Sequence, residues 1–299
     1  MAKTAPRSLA GKVAVVTGGG RGIGRAIAGG LAREGAVVAL GDLDGQAAQA
    51  VARELGGQHI GLVLDVTDRP AFTAFLDEVE RRLGPLENLV NNAGIMPLTP
   101  LEEEDDASVT RQLEINLHAV IHGTREAMRR MRPRDSGHIV NIASMAGKTG
   151  YANMATYCAT KHGVVGLSEA ARLELRGTGI EVSLVMPGVV RTELATGLRT
   201  PRGVKVVTPE AVAEAVVGAL KVPRFDVFIP RTGGVIIQLG GALPRRVRDA
   251  IVRAMHADEV ATDVDRAARA AYEARAAHSA PHVDHIAEIE DDEREANAA

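Results

Sequence analysis

Tyr157 and Lys161 stand four residues apart in the stretch Ser144 to Lys161, SMAGKTGYANMATYCATK. The composition there suits a helix, and residues i and i+4 share a helix face, so the phenol and the ammonium point the same way. A phenol with a reference pKa near 10 is a poor base at neutral pH. Bringing it to ~7 takes about 4 kcal/mol of preference for the phenolate. One positive charge at ~4 to 5 Å, at an effective dielectric near 20, supplies roughly that much. The pair can therefore form a proton-transfer device, with Ser144 donating a hydrogen bond to the substrate oxygen that exchanges the proton. Alone, such a pair is equally at home on an ordinary helix surface. The elements around it separate the two readings.

With 299 residues, 45% of them hydrophobic, the chain has material for one large α/β domain or two small ones. Aromatic residues make up 2% and Trp is absent, so the core is built from Val, Leu, Ile and Ala, and an aromatic platform for single-stranded nucleic acid is disfavoured. The net charge of −3 gives no general attraction to phosphate backbones. Cys158 is the only cysteine, which excludes an intramolecular disulfide and suits a reducing cytoplasm. Beside Tyr157, it reads as a small packing residue. The N-terminus carries no signal-peptide pattern, and no apolar run approaches the ~20 residues of a membrane-spanning helix.

The first strand, KVAVVT, feeds directly into Gly18-Gly19-Gly20-Arg21-Gly22-Ile23-Gly24 and then a helical pattern. Strand, glycine turn and helix in that order form a phosphate cradle. Gly18 permits the turn, Gly22 lets the backbone approach a pyrophosphate, and Gly24 allows close helix packing. The free N–H groups of the helix start face the phosphates. The second strand ends at Asp42, about 20 residues on, where a carboxylate accepts from the ribose hydroxyls of a dinucleotide. It would also repel a 2′-phosphate by about 4 kcal/mol per charge pair at ~4 Å. Leu43 follows, so no adjacent base offsets the repulsion. Arg21 is the dissenting residue, and the balance favours NAD over NADP. A third strand, HIGLVLD, ends at Asp65, and Asp65 and Val66 are placed at the adenine edge. A fourth strand runs into Asn91-Asn92-Ala93-Gly94, suited to the cofactor floor. The acidic run Glu102 to Asp106 opens a helix expected to continue through Met131 and to contain Asn116, an unfavourable helix residue with a specific task or a satisfied core amide. The fifth strand delivers Ser144 at its carboxyl end, where doubly wound sheets place their chemistry.

Together these residues resemble the short-chain dehydrogenase/reductase family in its compact single-domain branch. The resemblance rests on Thr17 to Gly24, Asn91 to Gly94, Asn116, Ser144, Tyr157 with Lys161, and Pro187-Gly188 with Thr192, in order and at the family's spacing over roughly residues 10 to 230. It implies a doubly wound α/β Rossmann fold, a seven-stranded parallel sheet with helices on both faces. It implies Tyr157 as acid/base and a member of the cofactor set, Ser144 as orienter, Lys161 as the group that lowers the tyrosine pKa and holds the nicotinamide ribose, and Asn116 as support for a water relay. Pro187 and Gly188 belong to the cofactor set, and Thr192 with the Val190 backbone would hold the carboxamide.

Residues 1–230 are thus expected to form the dehydrogenase domain, with a strand at 225–230 and a helix opened by Thr208 and Pro209. Ile95, Met96, Met145, Met154, Leu194 and Leu198 are candidate pocket residues, alongside Val204, Arg199 and Arg202 in the lid between Thr192 and Val207. Residues 231–277 depart from the family pattern as a helical extension packed on the same domain. Its basic segment LPRRVRDAIVRAM reads as a cover for the substrate cleft or a subunit contact, ahead of a membrane-surface helix. Residues 278–299 read as a disordered acidic tail, and His278, His282 and His285 as solvated rather than metal-binding. The expected protein is a cytoplasmic homodimer or homotetramer that oxidises a largely apolar secondary alcohol, or reduces the ketone, with NAD. An NADP-dependent 3-oxoacyl reductase and a non-catalytic NAD-binding sensor or scaffold are the alternatives.

Overall fold

The computed structural model describes residues 5–199, 206–235, 243–254 and 259–279. Seven strands form one sheet: β1 Val13–Thr17, β2 Val37–Asp42, β3 Ile60–Val63, β4 Leu86–Asn91, β5 Gly137–Ile142, β6 Ile180–Pro187 and β7 Asp226–Ile229. They lie in the order 3-2-1-4-5-6-7, every neighbouring pair parallel. Both faces are covered, which is why the strands read as near-continuous aliphatic runs. Along β1 the side chains alternate between two cores. Ala14 and Val16 pack with Ile27, Leu31 and Val216. Val13 and Val15 pack with Phe72, Leu76 and Ile139. The first core lies under α1 (Gly22–Arg33), α2 (Gly45–Leu55) and α7 (Pro209–Lys221), and the second under α3 (Arg69–Leu83), α5 (Ala119–Met131) and α6 (Ala155–Glu174).

The order of strand addition reverses between β1 and β4, and that switch point opens a crevice at the carboxyl ends of the strands. Helix starts are set by short polar side chains. Asp44 accepts from Ala47 N at 3.0 Å, Asp68 from Ala71 N at 2.8 Å, and Thr208 from Ala211 N at 3.2 Å, with Pro209 in the first helical turn as expected.

Two local expectations change. The helix expected to run unbroken to Met131 is instead α4 (Asp106–Leu113), a π-helical turn at Glu114–His118, and then α5. The inserted residue turns Asn116 into the interior, where it is fully buried. The strand expected to reach Asp65 stops at Val63, because the Asp65 carboxylate accepts from Thr67 N at 2.9 Å and Thr67 Oγ1 at 2.8 Å and bends the chain into a loop.

Beyond β7 the extension is helical. The basic helix Arg245–Ala254 leaves Arg245, Arg246 and Val247 exposed, and none of its described side chains lines the cleft, so of the two roles expected of it, cleft cover and subunit contact, the first is not seen. A later helix, Arg266–His278, capped by Asp265, crosses back to the crevice. His278 ends that helix, whereas Val204, Arg202, His282, His285 and the rest of the tail lie outside the described residues. No helix among the described residues is long and apolar enough to cross a membrane.

Candidate active site

A cleft of about 640 Å³ opens at the switch point. Gly18, Arg21, Gly22, Ile23 and Gly24 line one wall, followed by Asp42, Leu43, Asp65 and Val66, with Asn92, Ala93, Gly94 and Ile95 beneath and Thr192 and Leu194 opposite. Gly18 adopts a left-handed φ of +63°, and a side chain there would meet Ala93 Cα at 2.9 Å. At Gly24 a Cβ would lie 2.0 Å from the Gly18 carbonyl oxygen. The turn is therefore closed against its own helix in a way only glycine permits. Gly24→Ala is expected to destabilise the fold by roughly 2 to 4 kcal/mol, measured by urea denaturation; a midpoint close to the parent's would refute the packing argument.

Asn92 staples the turn to the floor. Its amide donates to the carbonyls of Thr17 (2.8 Å) and Gly18 (3.1 Å), while Thr17 Oγ1 accepts from the N–H groups of Asn92 (3.0 Å) and Ala93 (3.1 Å). Asn91 points the other way, donating to Asn141 Oδ1 at 2.8 Å in a buried network that reaches Ser168. At the adenosine end, the Asp42 carboxylate accepts from Gly20 N at 2.8 Å and Asp44 N at 3.0 Å, so it is fixed facing the cleft. Arg21, the residue that argued for a 2′-phosphate, is engaged by acids, 2.8 Å from Asp44 and 3.9 Å from Glu193.

The residues singled out for proton transfer cluster behind the other end. Asn116 accepts from Ile95 N and donates to Ile95 O, both at 2.8 Å, and donates to Thr160 Oγ1 at 3.4 Å. The Lys161 ammonium donates to Ile142 O at 3.0 Å and sits 5.7 Å from the Tyr157 ring centre. A Cβ at Gly94 would lie 3.1 Å from Asn116 Oδ1 and 3.7 Å from Lys161 Nζ, so the cleft floor touches both groups. Tyr157 is 7% exposed and Lys161 4%. Met96, Met154, Cys158, Leu194 and Leu198 pack with Tyr157 in one apolar cluster. Met145 lies instead between Gly188 and Gly233. Pro187, Gly188 and Val190 do not line the cleft. They hold Thr192 in place, through Gly188 N to Ile229 O and Thr192 N to Val190 O, both at 2.8 Å, and the Thr192 side chain faces Gly22.

The electrostatics correct the simple two-charge account. Burial pushes the Tyr157 phenol well above its ordinary value, opposed by a hydrogen bond from Ser144, and Lys161 is not among the groups that move it. Burial also draws the Lys161 ammonium down to about 8. Desolvation penalises both charged forms and outweighs their attraction in the ligand-free pair.

Sequence reasoning missed Ile115, Glu193 and, above all, Tyr272, Arg275 and Ala276 of the last helix, all of which line the cleft. The signal available was Tyr272 itself, a lone aromatic in an alanine- and arginine-rich helix. Among the described residues no group of three or more His, Cys, Asp or Glu side chains is placed to hold a metal.

A doubly wound sheet with a glycine cradle at its switch point defines a dinucleotide-binding architecture. The short chain dehydrogenase family profile matches residues 12–203, and the chain belongs to that family. It is an oxidoreductase of the short-chain dehydrogenase class. Among curated proteins it is 40% identical over 223 residues to a cis-4-hydroxycyclohexanecarboxylate dehydrogenase of Sinomonas cyclohexanicum, covering 70% of this chain and 89% of that one. It is 38% identical over 186 residues to a 3-oxoacyl-[acyl-carrier-protein] reductase of Haemophilus influenzae, covering 62% of this chain and 77% of that one. Among solved structures, a short chain dehydrogenase/reductase of Burkholderia phymatum in complex with NAD superposes with a TM-score of 0.73 at 28% identity, covering 79% of this chain and 94% of that one.

Proposed function

We propose that this chain is an NAD-dependent dehydrogenase that interconverts a largely apolar secondary alcohol and its ketone. Residues 1–230 form its catalytic domain, and it works in the cytoplasm as a homodimer or homotetramer. The observation that carries the reading is the buried set of Tyr157, Lys161 and Asn116, with the half-buried Ser144 beside it, set against the floor of a cleft whose glycine turn has no room for a Cβ at Gly18 or Gly24. Asp42 and the acid-engaged Arg21 support NAD over NADP.

The cleft fits a nicotinamide dinucleotide: glycine N–H groups at a helix start face its pyrophosphate, Asp42 its adenosine ribose, and Thr192 its carboxamide. Bound there, a nicotinamide would supply hydride chemistry at the carbinol or carbonyl carbon. Tyr157 takes the hydroxyl proton as the carbon–hydrogen bond breaks in oxidation, and gives it back to the carbonyl oxygen in reduction. Ser144 donates to that same oxygen and keeps it in reach of the phenol. Lys161, held by Ile142 O, supplies the positive charge that a transient phenolate requires, and Asn116 fixes the Ile95 backbone beside it. The apolar cluster around Tyr157 excludes water from the exchange.

Cofactor reduction across a panel of apolar secondary alcohols, with NAD and NADP side by side, tests the reading. Turnover with NAD is expected; tight NAD binding with no turnover on any alcohol would refute the dehydrogenase function. Asp42→Asn removes the charge yet keeps an acceptor for Gly20 N, and is expected to raise the kcat/KM ratio of NADP over NAD by at least about tenfold, less than the full Coulomb cost because the site is open to solvent. An unchanged ratio would place cofactor choice elsewhere.

A further inference from the structure

The family match ends at residue 203, yet the chain returns to the active site well beyond it. Residues 259–279 are fastened to the lid by a series of backbone and side-chain contacts. Arg199 N donates to Val260 O at 3.2 Å, Arg199 pairs with Glu259 at 2.8 Å and with Asp263, and Asp265 N donates to Gly197 O at 3.1 Å. On the other side Asn153 Nδ2 donates to Ala261 O at 2.9 Å. Ala261 is buried in the cluster that surrounds Tyr157.

At the centre lies Arg269, 2% exposed. Its guanidinium donates to Leu194 O at 2.7 Å, Thr196 O at 3.1 Å and Met96 O, and pairs with Glu273 at 2.5 Å. Three carbonyls from two separate segments thus converge on one planar fork, a geometry arginine meets and lysine does not. The guanidinium stacks 4.7 Å from the ring centre of Tyr272, whose hydroxyl accepts from Met96 N at 2.7 Å. Tyr272 lines the cleft and is near enough to raise the Tyr157 pKa.

We propose that residues Glu259–Ser279 are a clasped roof over the reaction pocket that restricts the substrate to compact, untethered alcohols and ketones, with Arg269 as its positioning residue and Tyr272 as its specificity-determining residue. The proposal deepens the dehydrogenase reading and rests on it. A substrate on a long carrier arm needs a channel beside Tyr157. Opening one lifts the roof, strands the carbonyls of Met96, Leu194 and Thr196 and the Met96 N–H, and strips the guanidinium of its three carbonyl partners. A compact ring or short chain enters with the clasp closed.

The test uses the full-length protein with two probes, cyclohexanone and a 3-oxooctanoyl pantetheine thioester, reduced with the same cofactor. Wild type is expected to favour cyclohexanone in kcat/KM by about a hundredfold or more. Tyr272→Ala and Arg269→Lys are each expected to lower that preference by about tenfold, the thioester KM falling while the cyclohexanone KM rises. Tyr272→Phe, which keeps the ring and drops the Met96 bond, is expected to lower the preference by less than that, about threefold, and stands in if Arg269→Lys fails to fold. Equal use of both probes by wild type, or folded variants whose preference does not move, would overturn the roof and leave the dehydrogenase reading intact. Absence of turnover on both probes would overturn the dehydrogenase reading and the roof with it.

Discussion

Tyr157→Phe is expected to lower kcat by about 10²- to 10⁴-fold, the range a positioned acid/base contributes, while the dissociation constant for NAD changes by less than about twofold, since most of the proposed cofactor contacts lie elsewhere. The substitution removes one oxygen from a ring that is already buried and packed against Met96 and Met154, so no cavity opens and the fold persists. Burial holds the phenol protonated well above neutral pH in the ligand-free protein. The sign of the pH dependence follows. Ketone reduction needs the protonated phenol and is expected to be faster on the acid side. Alcohol oxidation needs the phenolate and is expected to rise with pH. Stopped-flow absorbance of the cofactor, with wild type and variant across pH 6 to 10, reads both. A variant that kept more than about a tenth of wild-type kcat would remove Tyr157 from the proton path and shift attention to Tyr272, the other phenol at the pocket.

The parts of the site that the sequence makes legible are those whose partners lie close in the chain. Gly18 to Gly24 sit directly between a strand and a helix, and Asp42 is read from the next strand end. Gly18, Arg21, Gly22, Ile23, Gly24 and Asp42 line one cleft because a strand, its turn and the following helix need little tertiary information to be ordered. Tyr157 and Lys161 are a local pair as well, though their spacing shows only a shared face and not the dielectric around it. Burial, a property of the whole fold, is what reverses the direction of the tyrosine shift. The π-helical turn at Asn116 was hidden for a different reason. Its composition is that of the surrounding helix, and the extra residue is stabilised by Ile95 across the cleft floor. Tyr272 and Met96 are 176 residues apart, and no periodicity in an alanine-rich helix announces where its one aromatic ring will land. The same limit explains why the basic helix was expected to serve as a cleft cover or a subunit contact, and the later helix was given no place. Hydrophobic patterning marks a face that can be buried; the cap at Asp265 and the Arg269 clasp decide which helix is buried there.

Lys161→Met separates catalysis from stability. Methionine nearly matches the buried stem in volume but carries no charge, so kcat is expected to fall by about 10²- to 10³-fold, the loss typical when one preorganised electrostatic group is removed from a dry site. Stability moves on a different axis. Burial lowers the Lys161 pKa from 10.5 to about 8, so the native state gives up its proton before the unfolded chain does. Between about pH 8 and 10.5 the unfolded state binds more protons, and on this count stability rises with pH. Below pH 8 both states hold the proton and the native protein bears the whole cost of the buried charge. The methionine variant lacks this titration. The free-energy difference between wild type and variant, followed by urea denaturation from pH 7 to 10, is therefore expected to shift toward wild type only above about pH 8. The Ile142 carbonyl left without its donor adds a penalty to the variant at every pH, which displaces the curve and leaves its slope unaltered. A flat difference across that range would mean that Lys161 is solvated in the working protein. A buried ammonium could then no longer be the source of the field at Tyr157, and the kinetic loss would have to be traced to the nicotinamide ribose that Lys161 is proposed to hold.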